Sequence, residues 1–145
     1  MLALIQRVSS ASVSIGGSVA GSINNGLLLL LGIEKDDSEQ HADRLLQKVL
    51  AYRVFADADG KMNLSLRDVQ GGLLVVSQFT LAANTDKGLR PGFSGAKPPA
   101  EAEQLYQYFL KAAQAGHAVV AAGRFGADMQ VALVNDGPVT FLLKS

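Results

Sequence analysis

The chain has 145 residues, 48% of them hydrophobic, with 13 basic and 13 acidic side chains, two histidines and no cysteine. One domain of this size buries roughly 70% of the surface its unfolded chain exposes, so a core forms without covalent staples. Disulfides and thiolate metal sites are excluded, a His-rich metal site is disfavoured, and zero net charge argues against a grip on long duplex nucleic acid while leaving room for one end of an RNA.

Leu2 to Ile15, rich in Val, Ile and Ser, predicts a long first strand. Gly16-Gly17 between Ile15 and Val19 is a hairpin signal, because both residues tolerate positive φ. Leu27 to Leu31, extended by Gly32 and Ile33, reads as a strand buried on both faces. This is the longest apolar run, far short of the ~20 residues that cross a membrane. Arg7 interrupts the apolar N-terminus and no basic leader precedes it, so no signal peptide is expected. A cytoplasmic protein is the expectation, and the lack of cysteine suits a reducing compartment.

A helix follows, capped by Asp37 or Ser38, with Ala42, Leu45, Leu46, Val49 and Leu50 on one face. Tyr52 to Phe55 predicts a short strand and Asp57-Ala58-Asp59-Gly60 a turn. A calcium loop is rejected there, since the glycine comes too early and Asp68 stands where the twelfth-position Glu belongs. Gly71-Gly72 introduces a buried strand from Leu73 to Thr80. Residues 82–99 are irregular, and a loop this long in a small domain is often functional. Pro98 and Pro99 suit the first turn of a second helix, whose apolar face is Ala102, Leu105, Tyr106, Phe109, Leu110 and Ala113, ending at Gly116. Strands are predicted at Ala118–Ala122, Met129–Asn135 and Val139–Leu143. The elements do not alternate cleanly, so one domain of mixed α and β is expected, with a mainly antiparallel or mixed, barrel-like sheet and two main helices.

No Walker sequence and no GxGxxG after a strand is present. His41 and His117 read as surface residues near helix ends, without the partners a catalytic triad needs. Ser77-Gln78-Phe79-Thr80-Leu81 ends an apolar strand in hydroxyl, amide and aromatic groups beside the long loop. That is either a half-buried strand with a solvated face or the rim of a pocket. Asn135-Asp136-Gly137-Pro138-Val139-Thr140 reads as a tight turn. A cis bond at Gly137-Pro138 would point neighbouring carbonyl oxygens the same way, where they could accept hydrogen bonds from an ammonium group. Arg90, in Gly88-Leu89-Arg90-Pro91-Gly92-Phe93, is either solvated or a phosphate ligand.

Taken together, these segments resemble the D-aminoacyl-tRNA deacylase family. The likeness runs through Gln6-Arg7-Val8, Gly60 to Ser65, the signature SQFTL at Ser77–Leu81, the loop Lys87–Phe93, Phe125 to Met129, and the second signature NDGPVT at Asn135–Thr140. Gly92 stands where the family often has Ser, and Asn84 where an acidic residue is common. The resemblance implies a metal-free, cofactor-free homodimeric hydrolase that cleaves the ester between a D-amino acid and the 3′-terminal adenosine of tRNA. By the same resemblance Phe79 and Thr80 are catalytic, through their backbone amides or the Thr80 hydroxyl. Ser77, Gln78, Phe79, Met129 and Ala102 line the pocket. Gly137-Pro138 enters the other subunit's site, held by Arg7, and rejects L-residues by steric clash. The rival readings are a synthetase editing domain, a non-catalytic nucleic-acid-binding protein tied to replication, and a dimeric structural module.

Overall fold

A computed structural model describes residues 1–145. In chain order the elements are β1 (Leu2–Ile15), β2 (Ser18–Ile23), β3 (Gly26–Gly32), α1 (Glu39–Ala51), β4 (Phe55–Ala56), β5 (Met62–Leu64), α2 (Leu66–Val69), β6 (Gly72–Ser77), a 3-10 helix (Phe79–Ala82), α3 (Pro99–Gly116), β7 (Val120–Ala122) and β8 (Gln130–Lys144).

The predicted hairpin forms at Gly16 and Gly17, with φ of 57° and 82°, and pairs Ile15 with Ser18. A two-residue turn with both φ values positive matches the twist of the strands it joins, and glycine adopts such values without strain. β2 and β3 run in the same direction along one edge of β1, β2 beside its second half and β3 beside its first. β6 lies parallel to β3, and β7 parallel to β6. The sheet curls until β2 approaches β7: a Cβ added at Gly21 would lie 3.0 Å from the Ala122 carbonyl oxygen. The result is a nearly closed barrel with β8 outside, on the other edge of β1.

Both faces of the central strands are covered, which accounts for their unbroken apolar runs. Leu27, Leu29, Leu31, Leu73 and Val75 pack against α1 and α3. Leu28, Leu74 and Val76 point the opposite way, into a smaller cluster with Val8, Val13 and Ile23 inside the curl. The helices fill the predicted faces, and all five named α1 residues are buried.

Three expectations need correction. The strand predicted for Leu73–Thr80 stops at Ser77: the Gln78 amide makes the last ladder bond, to the Leu31 carbonyl (2.8 Å), and beyond it the chain turns into the 3-10 helix. The strand predicted at Tyr52–Phe55 is instead Phe55–Ala56, a short ribbon with β5. The two C-terminal strands joined by a tight turn are one strand, β8. Two steps along β1 (Gln6 to Val8) match five along β8 (Thr140 to Asn135), so the Gly-Pro segment bulges out instead of reversing the chain. β1 is long enough to hold β8 on both sides of that bulge.

The histidines are more engaged than expected. His41 Nδ1 accepts from the Ser38 amide (3.1 Å), so it stands in for the usual Glu or Gln of a capping box on α1. His117 Nε2 lies 2.6 Å from the Gly71 carbonyl oxygen, so that nitrogen carries the proton, and the end of α3 is tied to the start of β6. Asp57–Gly60 is the expected turn, with Asp57 Oδ1 accepting from the amides of Asp59 and Lys61. No helix is long and apolar enough to cross a membrane.

Candidate active site

The site starts where β6 runs out. Past Ser77 the chain enters a 3-10 helix whose first internal bond is Leu81 N–H to the Gln78 carbonyl (3.2 Å). The amides of Phe79 and Thr80 therefore have no acceptor inside the helix and form a pair of adjacent donors at its start. The Thr80 side chain is exposed, and its Oγ1 accepts from Gln78 Nε2. That leaves the Thr80 O–H free to donate outward. Neither histidine and no carboxylate is bonded to it.

These residues border a cavity of about 660 Å³. Of the predicted site residues, Ser77, Gln78, Phe79, Ala102 and Met129 line it together; Thr80 sits beside it and is not part of the wall. Ala102 gets there because Pro98 and Pro99 start α3 at the cavity's edge. The wall is mostly apolar, the character of a small-molecule pocket with a few orienting polar groups. Sequence reasoning did not single out Phe93 or Lys97. Phe93 lies 5.0 Å centroid to centroid from Phe79, and both rings are well exposed at the rim. Lys97 Nζ donates to the Lys35 carbonyl (2.8 Å) and lies 3.9 Å from Glu101. The unusual length of the 82–99 loop pointed toward both, and Phe93 also closes the Lys87–Phe93 segment of the family likeness.

Phe125, Gly126 and Ala127 complete one wall. Tyr106 holds that wall from beneath. Its hydroxyl lies 3.0 Å from the Gly123 carbonyl and 3.2 Å from that of Val75, and its ring is 5.8 Å from Phe125. Burial pushes the Tyr106 hydroxyl up to about 12. An unfolded chain loses this proton near pH 10, whereas the fold keeps it to about pH 12. The stabilisation is therefore whole below pH 10 and declines as pH rises toward 12. Tyr106→Phe is expected to cost about 1–3 kcal/mol at neutral pH by leaving the Gly123 carbonyl unpaired. Above pH 10 the gap to the parent protein is expected to narrow. Urea midpoints measured from pH 8 to 12 check both points, and a gap independent of pH would contradict the second.

Arg7, Gly137 and Pro138 form a second cluster that does not line this cavity. Arg7 Nη1 donates to the Val54 carbonyl (2.7 Å) and Nε to the Asp136 carbonyl (3.1 Å), with the Asp136 carboxylate 3.4 Å away. The bulge is closed by residues not predicted for the site. Asn135 Oδ1 accepts from the Val139 amide (3.0 Å), and Thr140 Oγ1 accepts from Asn135 Nδ2 (3.0 Å) and Gln6 Nε2 (3.2 Å). The first and last residues of NDGPVT thus shape the main chain between them. The Gly137-Pro138 peptide is cis, and the bulge is exposed.

A largely apolar pocket with a few polar side chains, Ser77, Gln78 and Lys97, and an exposed aromatic rim has the character of a small-molecule binding site. The family model described as D-Tyr-tRNA(Tyr) deacylase matches residues 4–144, and the chain belongs to that family. It is 62% identical over 144 residues to the D-aminoacyl-tRNA deacylase of Pseudomonas paraeruginosa and 63% identical to that of Cellvibrio japonicus, covering 99% of each chain in both cases. The solved structure of a c-Myc DNA Unwinding Element Binding Protein superposes with a TM-score of 0.96 at 41% identity, covering 100% of this chain and 99% of that one. A probable eukaryotic D-amino acid tRNA deacylase shares the fold, with a TM-score of 0.86 at 14% identity over 99% of this chain and 98% of that one.

Proposed function

We propose that this chain hydrolyses the ester bond of D-aminoacyl-tRNA, releasing free tRNA and the D-amino acid, as a cytoplasmic homodimer. The observation that carries the reading is the paired amides of Phe79 and Thr80 at the edge of a largely apolar cavity, in a member of the D-Tyr-tRNA(Tyr) deacylase family. The reaction adds water to the ester carbonyl, and the carbonyl oxygen becomes an oxyanion. Two amides fixed at the start of a 3-10 helix are suited to receive it, and one such donor is worth ~3–4 kcal/mol in other enzymes. An aminoacyl ester is already labile, so positioning and oxyanion stabilisation carry most of the burden. Thr80 has no base to activate it and is a weak nucleophile as it stands. The vicinal 2′-hydroxyl of the ribose relays the proton, taking one from the attacking water and giving its own to the departing 3′-oxygen, while Thr80 O–H orients water or ester.

Chiral selection falls to the Gly137-Pro138 bulge of a second copy. Two features support this. The bulge lies outside its own chain's cavity, and β8 is a 15-residue edge strand paired only with β1, with Val134, Phe141 and Leu142 exposed. Long apolar edges are rarely left open in a monomer. Main-chain oxygens of the entering bulge hold the substrate's α-ammonium while the ribose fixes the ester. An L-residue then drives its Cβ into the bulge, and a D-residue points it away. The test ignores side-chain identity, so many D-amino acids are accepted, and glycyl-tRNA, which has no Cβ, is cleaved too. D- and L-tyrosyl-tRNA assayed side by side check this. Equal rates sink the steric account, and no hydrolysis of either sinks the activity. Thr80→Ala removes one orienting hydrogen bond and is expected to keep turnover within about tenfold of the parent. A covalent adduct trapped on Thr80 would reverse that assignment.

Likeness to the 41%-identical c-Myc DNA Unwinding Element Binding Protein favours a second reading, nucleic-acid binding without catalysis. Against it stands a net charge of zero. Duplex DNA binding that weakens steeply with salt, in the absence of deacylation, would favour it.

A further inference from the structure

The loop between the 3-10 helix and α3 is more ordered than its composition suggests. Asn84 and Gly92 exchange both backbone hydrogen bonds (2.7 and 3.0 Å), and Asn84 Oδ1 accepts from the Asp86 amide (2.9 Å). Gly88 turns the tip with φ of 73°, and Pro91 stiffens the return limb. The tip projects into solvent, and Leu89 is 104% exposed. Lys87 and Arg90 flank it; both are exposed, and neither takes part in any of the four ion pairs of the molecule. Asp86 is the loop's only acid.

The base of this loop is the rim of the cavity. Gly92 is followed by Phe93, whose ring packs at a tilt against Phe79 and lines the wall. Three residues of chain span at most about 11 Å, so the Arg90 backbone lies within that distance of Phe93. A guanidinium and an ammonium on a braced loop, with no acidic partner and next to a pocket mouth, suit a polyanion running out of that pocket. We propose that Lys87 and Arg90 contact backbone phosphates of the single-stranded 3′ end of RNA whose terminal nucleoside occupies the cavity. This rests on the deacylase reading and adds the surface that tells a polynucleotide ester from a lone nucleoside ester. It also reconciles a chain of zero net charge with an RNA substrate, since two or three phosphates need few cations.

The test compares the parent protein with Lys87→Gln, Arg90→Gln and the double variant on two substrates: D-tyrosyl-tRNA, and the D-tyrosyl ester of adenosine, which has no phosphate. For the double variant, kcat/KM on the tRNA is expected to fall roughly tenfold at low salt, mainly through KM. Its log–log salt slope is expected to shrink by about 1.4, at ~0.7 per lost phosphate contact. Activity on the adenosine ester is expected to stay within about twofold, which also reports that the variant is folded. Equal losses on both substrates, or an unchanged tRNA rate and slope, overturn the proposal. Binding of deacylated tRNA, measured in parallel, separates the two layers. If the parent cleaves neither ester but its tRNA binding weakens and loses salt slope on neutralising the pair, the deacylase reading falls and the phosphate surface stands.

Discussion

Gly26→Ala is expected to destabilise the fold severely. β3 and β6 pair Gly26 directly with Gly72, and a Cβ on Gly26 would lie 1.9 Å from the Gly72 carbonyl oxygen and 2.6 Å from its amide nitrogen. Both obstacles are backbone, so no rotamer change relieves them. Nor can Gly72 give way easily, because a Cβ there would meet Ile23 at 2.8 Å, and Ile23 belongs to the cluster inside the curl. Overpacking a core by a methylene or two costs ~1–3 kcal/mol when side chains absorb it. Here the parallel ladder between β3 and β6 must open, so the expected cost exceeds ~3 kcal/mol out of a total of about 5–15. Urea unfolding and soluble yield measure it. A folded variant with an unchanged midpoint would show that the strands can separate without loss.

Gly137→Ala is expected to act on function more than on stability. Gly137 has φ of 135°, a region L-residues rarely occupy, and an added Cβ would fall 2.7 Å from Val139 Cγ2, 3.0 Å from Val139 N and 3.2 Å from Arg7 Nη2. Such a backbone costs a non-glycine residue ~1–3 kcal/mol. The bulge is exposed and braced only by Arg7, Asn135 and Thr140, so it can shift without unfolding the sheet. A shift of about 1 Å in a positioning group costs roughly a hundredfold in rate, and that is the expected fall in kcat/KM on D-tyrosyl-tRNA. Discrimination against L-tyrosyl-tRNA is expected to erode with it. Full activity in this variant would remove the bulge from the reaction.

Much of the architecture was legible because hydrophobic period and turn chemistry agreed. The Gly16-Gly17 hairpin, the two-sided burial of Leu27–Leu31 and the faces of α1 and α3 all followed from local pattern. What failed depended on distant partners. Nothing between Met129 and Leu143 reveals that β1 is long enough to hold both halves as one strand, so a bulge looked like a reversal. β6 ends where its parallel ladder with β3 ends, at Leu31, nearly fifty residues earlier in the chain. α2 was invisible because it has four residues, and the Ser65–Asp68 capping box that starts it has no apolar run behind it. For the site, SQFTL supplied Ser77, Gln78 and Phe79 and the Phe125–Met129 segment supplied four more wall residues, whereas NDGPVT supplied none, and tertiary packing brings Phe93 and Lys97 to the wall and Tyr106 beneath it.

The double-sided burial of β3 has one further consequence. A strand with one wet face is aligned by solubility, since slipping by one residue would bury its polar side. β3 has no wet face, and a slip would merely exchange leucines for leucines. Its alignment must come from shape, and the two glycines at its ends supply it: Gly26 against Gly72, and Gly32 where a Cβ would meet Leu81 at 2.8 Å. They work like the notches of a key, refusing every offset that brings a leucine to either place, so the strand that flanks β6 on its way to the 3-10 helix is indexed by its two smallest residues.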